Sequence, residues 1–94
     1  LESPGVSKKS STSLSFYPNP FSQSTTINIE SVSSEIIQYA IVNIQGRVVH
    51  QRKTLGQGVH QIKIGKEDLP GPGIYFCQMT IGPNLTVVKL VLLD

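Results

Sequence analysis

The stretch EIIQYAIVNIQGRVVHQRK, residues 35–53, decides the fold class, because it contains two β-type runs joined by a tight turn. The first run is apolar on both faces, which is typical of a central strand. Gln45 and Gly46 form the predicted turn, since glycine adopts the positive φ that a hairpin needs. The pattern predicts these core residues, the last one following the bend: Ile37, Tyr39, Ile41 and Ile44.

The same kind of pattern continues on both sides of this hairpin. Short runs of alternating apolar and polar residues are separated by turn signals at close, regular spacing, which is typical of a sandwich or barrel. Strands are predicted at about 13–17, 24–30, 35–43, 47–53, 58–64, 73–81 and 86–93. The predicted fold class is therefore all-β, an antiparallel β-sandwich of about seven strands. One helical turn is expected near Glu67 and Asp68.

A rigid corner, YPNPF at residues 17–21, stands between the first two predicted strands. Pro18 and Pro20 each restrict their own φ and favour extended geometry in the residue before them. Tyr17 and Phe21 are expected to anchor the corner on either side as hydrophobic groups. A second corner, LPGPG at residues 69–73, cannot be helix or interior strand.

Composition limits the size and the partners of the domain. The chain has 94 residues, of which 38% are hydrophobic, and it has no tryptophan, so aliphatic side chains must fill a modest core. Its formal charge of +2 is too small to indicate nucleic acid as a partner. No apolar run approaches the length of a membrane-spanning helix.

Catalytic and metal-binding patterns are not found in the sequence. The two histidines, His50 and His60, lack the spacing of a metal site, and no nucleophile elbow or phosphate-binding glycine loop occurs. His60 is expected to be a partly buried structural residue and His50 to lie on an exposed strand face. Cys77, the single cysteine, is expected to be a small buried hydrophobic residue. The sequence therefore predicts no enzyme activity, no cofactor and no metal.

The first 13 residues, LESPGVSKKSSTS, differ from the rest of the chain in composition. They are rich in serine and lysine and contain little that could be buried, so we predict a linker at 1–13 and a domain at 14–94. The absence of an initiator Met predicts a processed or partial product of a longer polypeptide.

Six motifs in order carry a resemblance to a known family. They are YPNPF at 17–21, TTI at 25–27, IVNIQGRVV at 41–49, GVHQIKI at 58–64, LPGPGIYF at 69–76 and KLVLL at 89–93. In this order and spacing the chain resembles the C-terminal sorting domain of type IX secretion cargo, type A, over residues 14–94. It departs from the family pattern in three places. Val42-Asn43 replaces the usual Tyr-Asp, Cys77 replaces a second aromatic residue, and LPGPG has one additional proline.

The resemblance implies an immunoglobulin-like sandwich that acts as an address. Cargo of this family in Bacteroidota crosses the inner membrane with a signal peptide and folds in the periplasm. The C-terminal domain then directs it through the outer-membrane translocon to the cell surface or the medium. A sortase-like signal peptidase commonly removes the domain when the cargo is anchored. The implied partners are thus the translocon, the peptidase and a cargo domain fused at the N-terminal side.

The resemblance and the residue pattern together give a set of candidate recognition residues: Pro18, Asn19, Pro20, Gly46, Arg47, Gly73, Tyr75, Lys89 and Val91. Lys89 is the strongest candidate, because a charge in an apolar strand must face outward or be paired. For Tyr75 we expect a buried ring with a satisfied hydroxyl. The YPNPF corner has either a structural role or a recognition role.

Three alternatives stay open at this point. The chain could be an immunoglobulin-like or fibronectin-like module that binds protein or carbohydrate in a secreted multidomain protein. The C-terminal strand, apolar on both faces, is either a central strand or an element that adds to a partner's sheet. The isolated domain could also form a homodimer through an exposed edge.

Overall fold

The structure, a computed structural model, describes residues 14–94, and within that range it describes the side chains of all but residues 30–35 and 54–60. The predicted linker at 1–13 and the predicted burial of His60 lie outside the described residues. Four strands account for most of the chain: β1 Ser24–Asn43, β2 Val48–Gly65, β3 Gly73–Ile81 and β4 Asn84–Leu92. A single 3-10 turn, Lys66–Asp68, follows β2 and confirms the one short helical turn predicted there.

All ladders are antiparallel, and the strands follow the order β2-β1-β3-β4. Six of the seven predicted segments lie within the four strands, and two pairs of them are fused into the long strands β1 and β2. Of the first segment, the described residues 14–17 contribute a bridge between Tyr17 and Thr26. The second half of β1 pairs with β2 on one side and β3 on the other, which confirms it as a central strand.

The long strands bend so that the sheet covers its own apolar face. A straight strand as long as β1, with 20 residues, would extend about 66 Å at ~3.3 Å per residue. The longest dimension of the molecule is only 46 Å. The β1–β2 register shifts between Ser31 and Glu35, which places an irregularity in the middle of both strands. The two halves of the long hairpin therefore contribute to two antiparallel layers that pack around one core, as in an immunoglobulin-like sandwich.

The core positions predicted from the sequence are buried, with two exceptions. Five of them are confirmed: Ile37, Tyr39, Ile41, Tyr75 and Cys77. Further alternate residues of the strands complete the core, and they are Ile27, Ile29, Ile62, Ile64, Met79, Leu90 and Leu92. Ile44 was expected in the core, but it is 73% exposed. The turn is the reason: Gly46 N–H donates to the Asn43 carbonyl at 2.9 Å, so Ile44 stands at a central turn position that projects into solvent.

The second exception concerns the aromatic residues of the YPNPF corner. Phe21 is buried as predicted, with 2% exposure, whereas Tyr17 is 82% exposed and its ring does not pack in the core. The ring of the preceding residue, Phe16, is buried instead, with 4% exposure. Tyr17 pairs through its backbone with Thr26 in both directions, at 2.9 and 3.0 Å. Because side chains alternate along extended backbone, this pairing turns Phe16 inward and Tyr17 outward.

Among residues 14–94, no helix has the length and apolar character needed to cross a membrane.

Candidate functional site

The predicted recognition residues lie at one end of the sheet. The antiparallel ladders bring together the end of β1, the start of β2, the start of β3 and the end of β4, since Asn43 pairs with Tyr75 and Gly73 pairs with Leu92. The YPNPF corner lies beside the last residues of β4, where Phe21 bridges Leu92. We call this region the corner end, defined as residues 18–21, 43–47, 71–75 and 89–93.

Asn19 connects the YPNPF corner to β4. Its side-chain amide Nδ2 donates to the Lys89 carbonyl at 2.6 Å, and its Oδ1 accepts from the Val91 N–H at 3.1 Å. An amide side chain offers the same donor and acceptor as a peptide group. Asn19 therefore occupies the outward edge of β4 as a neighbouring strand would.

Phe21 extends this contact with its backbone. Its N–H donates to the Val91 carbonyl at 2.9 Å, and its carbonyl accepts from the Leu93 N–H at 2.7 Å. Together with the Asn19 bonds, this gives four hydrogen bonds between the corner and the stretch from Lys89 to Leu93. The buried Phe21 ring anchors the same segment in the core.

Pro18 and Pro20 flank Asn19, and both follow cis peptide bonds. Neither proline carries an N–H group, so on either side of Asn19 the corner has no backbone donor with which to extend a sheet. The sequence shows that these prolines form a stiff corner. The structure adds that the corner lies against the C-terminal strand.

The β1–β2 hairpin turn, at the same end of the sheet, is closed by Asn43. Its Oδ1 accepts from the Gln45 N–H at 2.9 Å and from the Arg47 N–H at 3.0 Å. Gly46 has a φ of +82°, which confirms the positive φ predicted for it. Asn43 stands where the family pattern usually has aspartate, and its amide oxygen supplies the acceptor that the turn requires. Arg47 itself is exposed.

The second corner is closed by Tyr75. Its hydroxyl donates to the Gly71 carbonyl at 2.6 Å, and the ring is buried with 5% exposure, which confirms the packing predicted for it. Gly73 has a φ of +149°, a conformation that favours glycine, and no atom lies within 4 Å of the position a Cβ would take. Gly73 is therefore required for its backbone conformation rather than for space.

Lys89 and Val91 differ in accessibility. Lys89 is exposed on the outer face of β4, as predicted, opposite Phe76 of β3. Val91 is half-buried, and both its N–H and its carbonyl are bonded to the YPNPF corner. Of this pair, only the Lys89 side chain is presented freely to a partner.

Two open clefts lie at the corner end. One, of about 350 Å³, is lined mostly by apolar surface between the β1–β2 turn and the start of β3. Its lining residues are Asn43, Ile44, Pro72, Gly73, Ile74 and Tyr75. The other, of about 310 Å³, lies between the LPGPG corner and the last residues of the chain, and Ser22 and Gln23 complete its wall. The corner end thus combines exposed charge, exposed apolar groups and concave surface.

Outside the corner end, the groups that bear on metal binding or on thiol chemistry are the His, Cys, Asp and Glu side chains of the described residues. No group of three or more His, Cys, Asp or Glu is close enough to hold a metal ion among the residues the structure describes. Burial raises the pKa of the Cys77 thiol to about 12, so this cysteine is protonated and inert at neutral pH.

His50 was expected on an exposed face, but it is half-buried. Its Nε2 lies 3.3 Å from the Tyr39 hydroxyl, and the ring centroids are 5.8 Å apart. The cross-strand pairing explains the difference, because His50 pairs with the inward-facing Ile41 and so shares its face. Burial raises the pKa of the Tyr39 hydroxyl, an effect that Arg52 partly offsets.

Sequence reasoning did not identify the partner of Asn19, nor the roles of Asn43 and the Phe21 backbone. Asn19 and its partners are 70 and 72 positions apart, so no local signal connects them. Asn43 could have been recognised, since an asparagine three residues before a turn glycine commonly accepts from the turn N–H groups.

A comparison with models of protein families gives a match over nearly the whole chain. The model described as the secretion system C-terminal sorting domain matches residues 15–93. No curated protein matches the chain.

Proposed function

Because the chain belongs to the family of secretion system C-terminal sorting domains, we propose that the type IX outer-membrane translocon recognises it at the corner end. The family supports the role of a sorting signal that sends cargo to the cell surface or the extracellular space. Domains of this kind are generally signals rather than catalysts. The cargo is fused on the N-terminal side.

The observation that carries the proposal is the position of the corner end relative to the first described residues, 14–16, which connect the domain to the preceding part of the chain. The Tyr17–Thr26 bridge is antiparallel, so residues 14–16 run along β1 away from its start. Ser22 and Gln23, just before that start, line the same cleft as Leu92 and Leu93. The chain therefore enters from the direction opposite to the corner end. A cargo of any shape would leave this end accessible to a receptor.

Within the corner end, the side chains best placed for direct contact are the exposed ones. Lys89 and Arg47 supply positive charge, and the apolar surface near Ile44 and Ile74 lies between the two turns. Asn19 acts through the side-chain bonds that hold the corner against β4. The backbone conformation is the main contribution of the remaining candidates, which are Pro18, Pro20, Gly46, Gly73 and Val91. Tyr75 acts by holding its own corner closed.

The route to the surface has two further steps in this proposal. The cargo folds during transit through the periplasm, and a sortase-like signal peptidase then cuts within residues 1–13 as the cargo is anchored. The composition of this segment supports the position of the cut, because peptidases act on exposed chain with little to bury.

The central test fuses residues 1–94 behind a reporter that carries an N-terminal export signal, in a host with a type IX system. Surface exposure is measured by adding protease to intact cells, and periplasmic retention by fractionation. We expect the reporter to reach the surface or the medium. Retention in the periplasm, while a native cargo of the host is exported, would overturn the proposal.

A matched pair of lysine variants tests the recognition surface. Lys89→Ala removes an exposed charge at the corner end, and Lys63→Ala removes an exposed strand lysine elsewhere. Both should keep the wild-type melting temperature within the small range usual for surface substitutions. Only Lys89→Ala should reduce export. Equal export of the two variants would exclude Lys89 from recognition.

The cut is tested separately, by mass spectrometry of the C-terminus of the surface-anchored reporter. A terminus within residues 1–13 agrees with the proposal. A terminus inside residues 14–94 would contradict it, because the sandwich would then have been opened before cleavage.

A further inference from the structure

Another cleft lies outside the corner end, between the two halves of β2. It has a volume of about 320 Å³, at the lower end of the range for sites that hold a small molecule. Its wall includes residues of β1, of both halves of β2 and of the 3-10 turn: Tyr39, His50, Arg52, Lys63 and Asp68. The cleft therefore collects side chains that carry charge or hydrogen-bond donors.

His50 and Arg52 occupy core-side positions of β2. His50 pairs with Ile41 and Arg52 pairs with Tyr39, and both of these β1 residues are buried in the core. Cross-strand partners share a face of the sheet, so the histidine and the arginine lie on the core side. Burying an unpaired charge is costly. The cleft avoids this cost, because it leaves the Arg52 side chain exposed.

Hydrogen-bond donors converge around the Tyr39 hydroxyl. This hydroxyl lies 3.3 Å from His50 Nε2. Burial raises the pKa of the Tyr39 hydroxyl and the charge of Arg52 acts in the opposite direction, so the guanidinium lies near it. A phenol, an imidazole and a guanidinium can each donate hydrogen bonds. The three groups together form a site that favours an anion.

The charges of the wall also favour an anion. Two cationic residues, Arg52 and Lys63, and one acidic residue, Asp68, line the cleft. Asp68 is committed to the 3-10 turn, where its Oδ2 accepts from the Gly65 N–H at 2.9 Å. The positive charges of the wall thus exceed the negative charge, and the carboxylate already has a donor.

We propose that this cleft binds a phosphate group, either free or carried by a small molecule. The fork of the Arg52 guanidinium matches two phosphate oxygens at once. The Tyr39 hydroxyl and the His50 ring are placed to donate to the third oxygen. A phosphate group has three strong acceptor oxygens and between one and two negative charges near neutral pH, whereas a carboxylate has two oxygens and one charge.

A purely structural role for Arg52 makes a different prediction. β2 stands at the edge of the sheet order, and an inward-pointing charge on an edge strand discourages pairing with another sheet. In that role the arginine needs only its charge, and the cleft binds no phosphate. The two roles are therefore separated by a binding measurement.

The test follows the amide and His50 ring signals of the 94-residue chain by NMR while a ligand is added at constant ionic strength. The ligands are inorganic phosphate, glucose 6-phosphate and glucose. We expect saturable shifts at the cleft residues with both phosphate compounds and none with glucose. Tighter binding of glucose 6-phosphate would identify a carried phosphate, and equal affinities would identify free phosphate. The absence of saturable shifts with both compounds would overturn the proposal, as would equal binding of glucose.

A matched pair of variants tests whether the cleft itself binds the anion. Arg52→Gln removes the fork, and Lys53→Gln removes an exposed charge from the next position, which alternation places on the opposite face of β2. Loss of charge-assisted hydrogen bonds should weaken phosphate binding about 10-fold to 150-fold in Arg52→Gln. Lys53→Gln should weaken it less than about 5-fold. Equal weakening in the two variants would overturn the proposal, because the attraction would then be unspecific.

Two conservative variants test the geometry and keep the test valid if Arg52→Gln does not fold. Arg52→Lys keeps the charge and loses the fork, so its affinity should lie between those of wild type and Arg52→Gln. Tyr39→Phe removes one donor and should weaken binding about 2-fold to 10-fold. Wild-type affinity in both folded variants would refute the site. Since the cleft lies outside the corner end, export of the reporter tests the sorting role independently.

Discussion

Tyr75→Phe tests how much the second corner depends on one hydroxyl group. The Tyr75 hydroxyl donates to the Gly71 carbonyl at 2.6 Å while the ring is buried at 5% exposure. Phenylalanine keeps the ring and removes the donor, so the packing of the core is unchanged. Only the hydrogen bond between β3 and the LPGPG corner is lost.

The magnitude follows from the surroundings of the carbonyl. A typical intramolecular hydrogen bond contributes about 0.5–1.5 kcal/mol to stability, and a buried carbonyl left without a partner costs about 1–3 kcal/mol. Gly71 is half-buried, so water reaches its carbonyl in part. We therefore expect Tyr75→Phe to lower the free energy of unfolding by about 1–2 kcal/mol. This interval covers the upper part of the range for a typical hydrogen bond and the lower part of the range for a buried carbonyl without a partner. For a domain of this size, each kcal/mol lowers Tm by roughly 4–8 °C.

Urea unfolding and thermal melting followed by circular dichroism measure this difference. Tyr39→Phe is the matched control, because Tyr39 is also buried but its hydroxyl lies 3.3 Å from His50, a longer contact. Tyr39→Phe should cost less than Tyr75→Phe. If Tyr75→Phe is as stable as wild type, or more stable than Tyr39→Phe, the hydroxyl does not hold the corner and the reasoning fails.

Three further predictions concern stability. Phe21→Ala should lower the free energy of unfolding, measured in urea, by about 3–5 kcal/mol. Tyr17→Ala should change it by no more than about 0.5 kcal/mol. Similar losses of stability in both variants would refute the placement of these two rings. Gly46→Ala should lower the free energy of unfolding by about 1–2 kcal/mol, because alanine is disfavoured at a positive φ. An unchanged Tm would contradict this expectation. The Cys77 thiol has its pKa raised from 9.0 to about 12 by burial, so the unfolded chain loses this proton first as pH rises. Stability should therefore decline between about pH 9 and 12, more steeply in wild type than in Cys77→Ala, and equal slopes would exclude this contribution.

The local features of this fold could be predicted from the sequence. Alternation identified the inward residues of the central strand, and the Gly46 turn and the LPGPG corner follow from glycine and proline chemistry. These predictions hold because each depends on a few neighbouring residues. The prediction failed at Ile44 because the turn is centred one residue earlier than the sequence suggests, on Ile44 and Gln45.

The candidate site was predicted residue by residue but not as a surface. Separate motifs pointed to Asn19, Tyr75 and Lys89 with no indication that they lie at one end of the sheet. Their assembly depends on the register of three ladders and on the bend of the long hairpin. Neither property can be read from a short window of sequence.

The YPNPF corner shows most clearly which features depend on the sequence alone and which depend on the tertiary structure. By itself, the sequence determined that residues 17–21 form a stiff turn, since two prolines restrict the backbone wherever they occur. Only the tertiary structure decided that Phe16 rather than Tyr17 enters the core, and that Asn19 bonds the backbone of Lys89 and Val91. The restriction by proline is local, whereas a hydrogen bond across 70 residues exists only after the strands between them have folded.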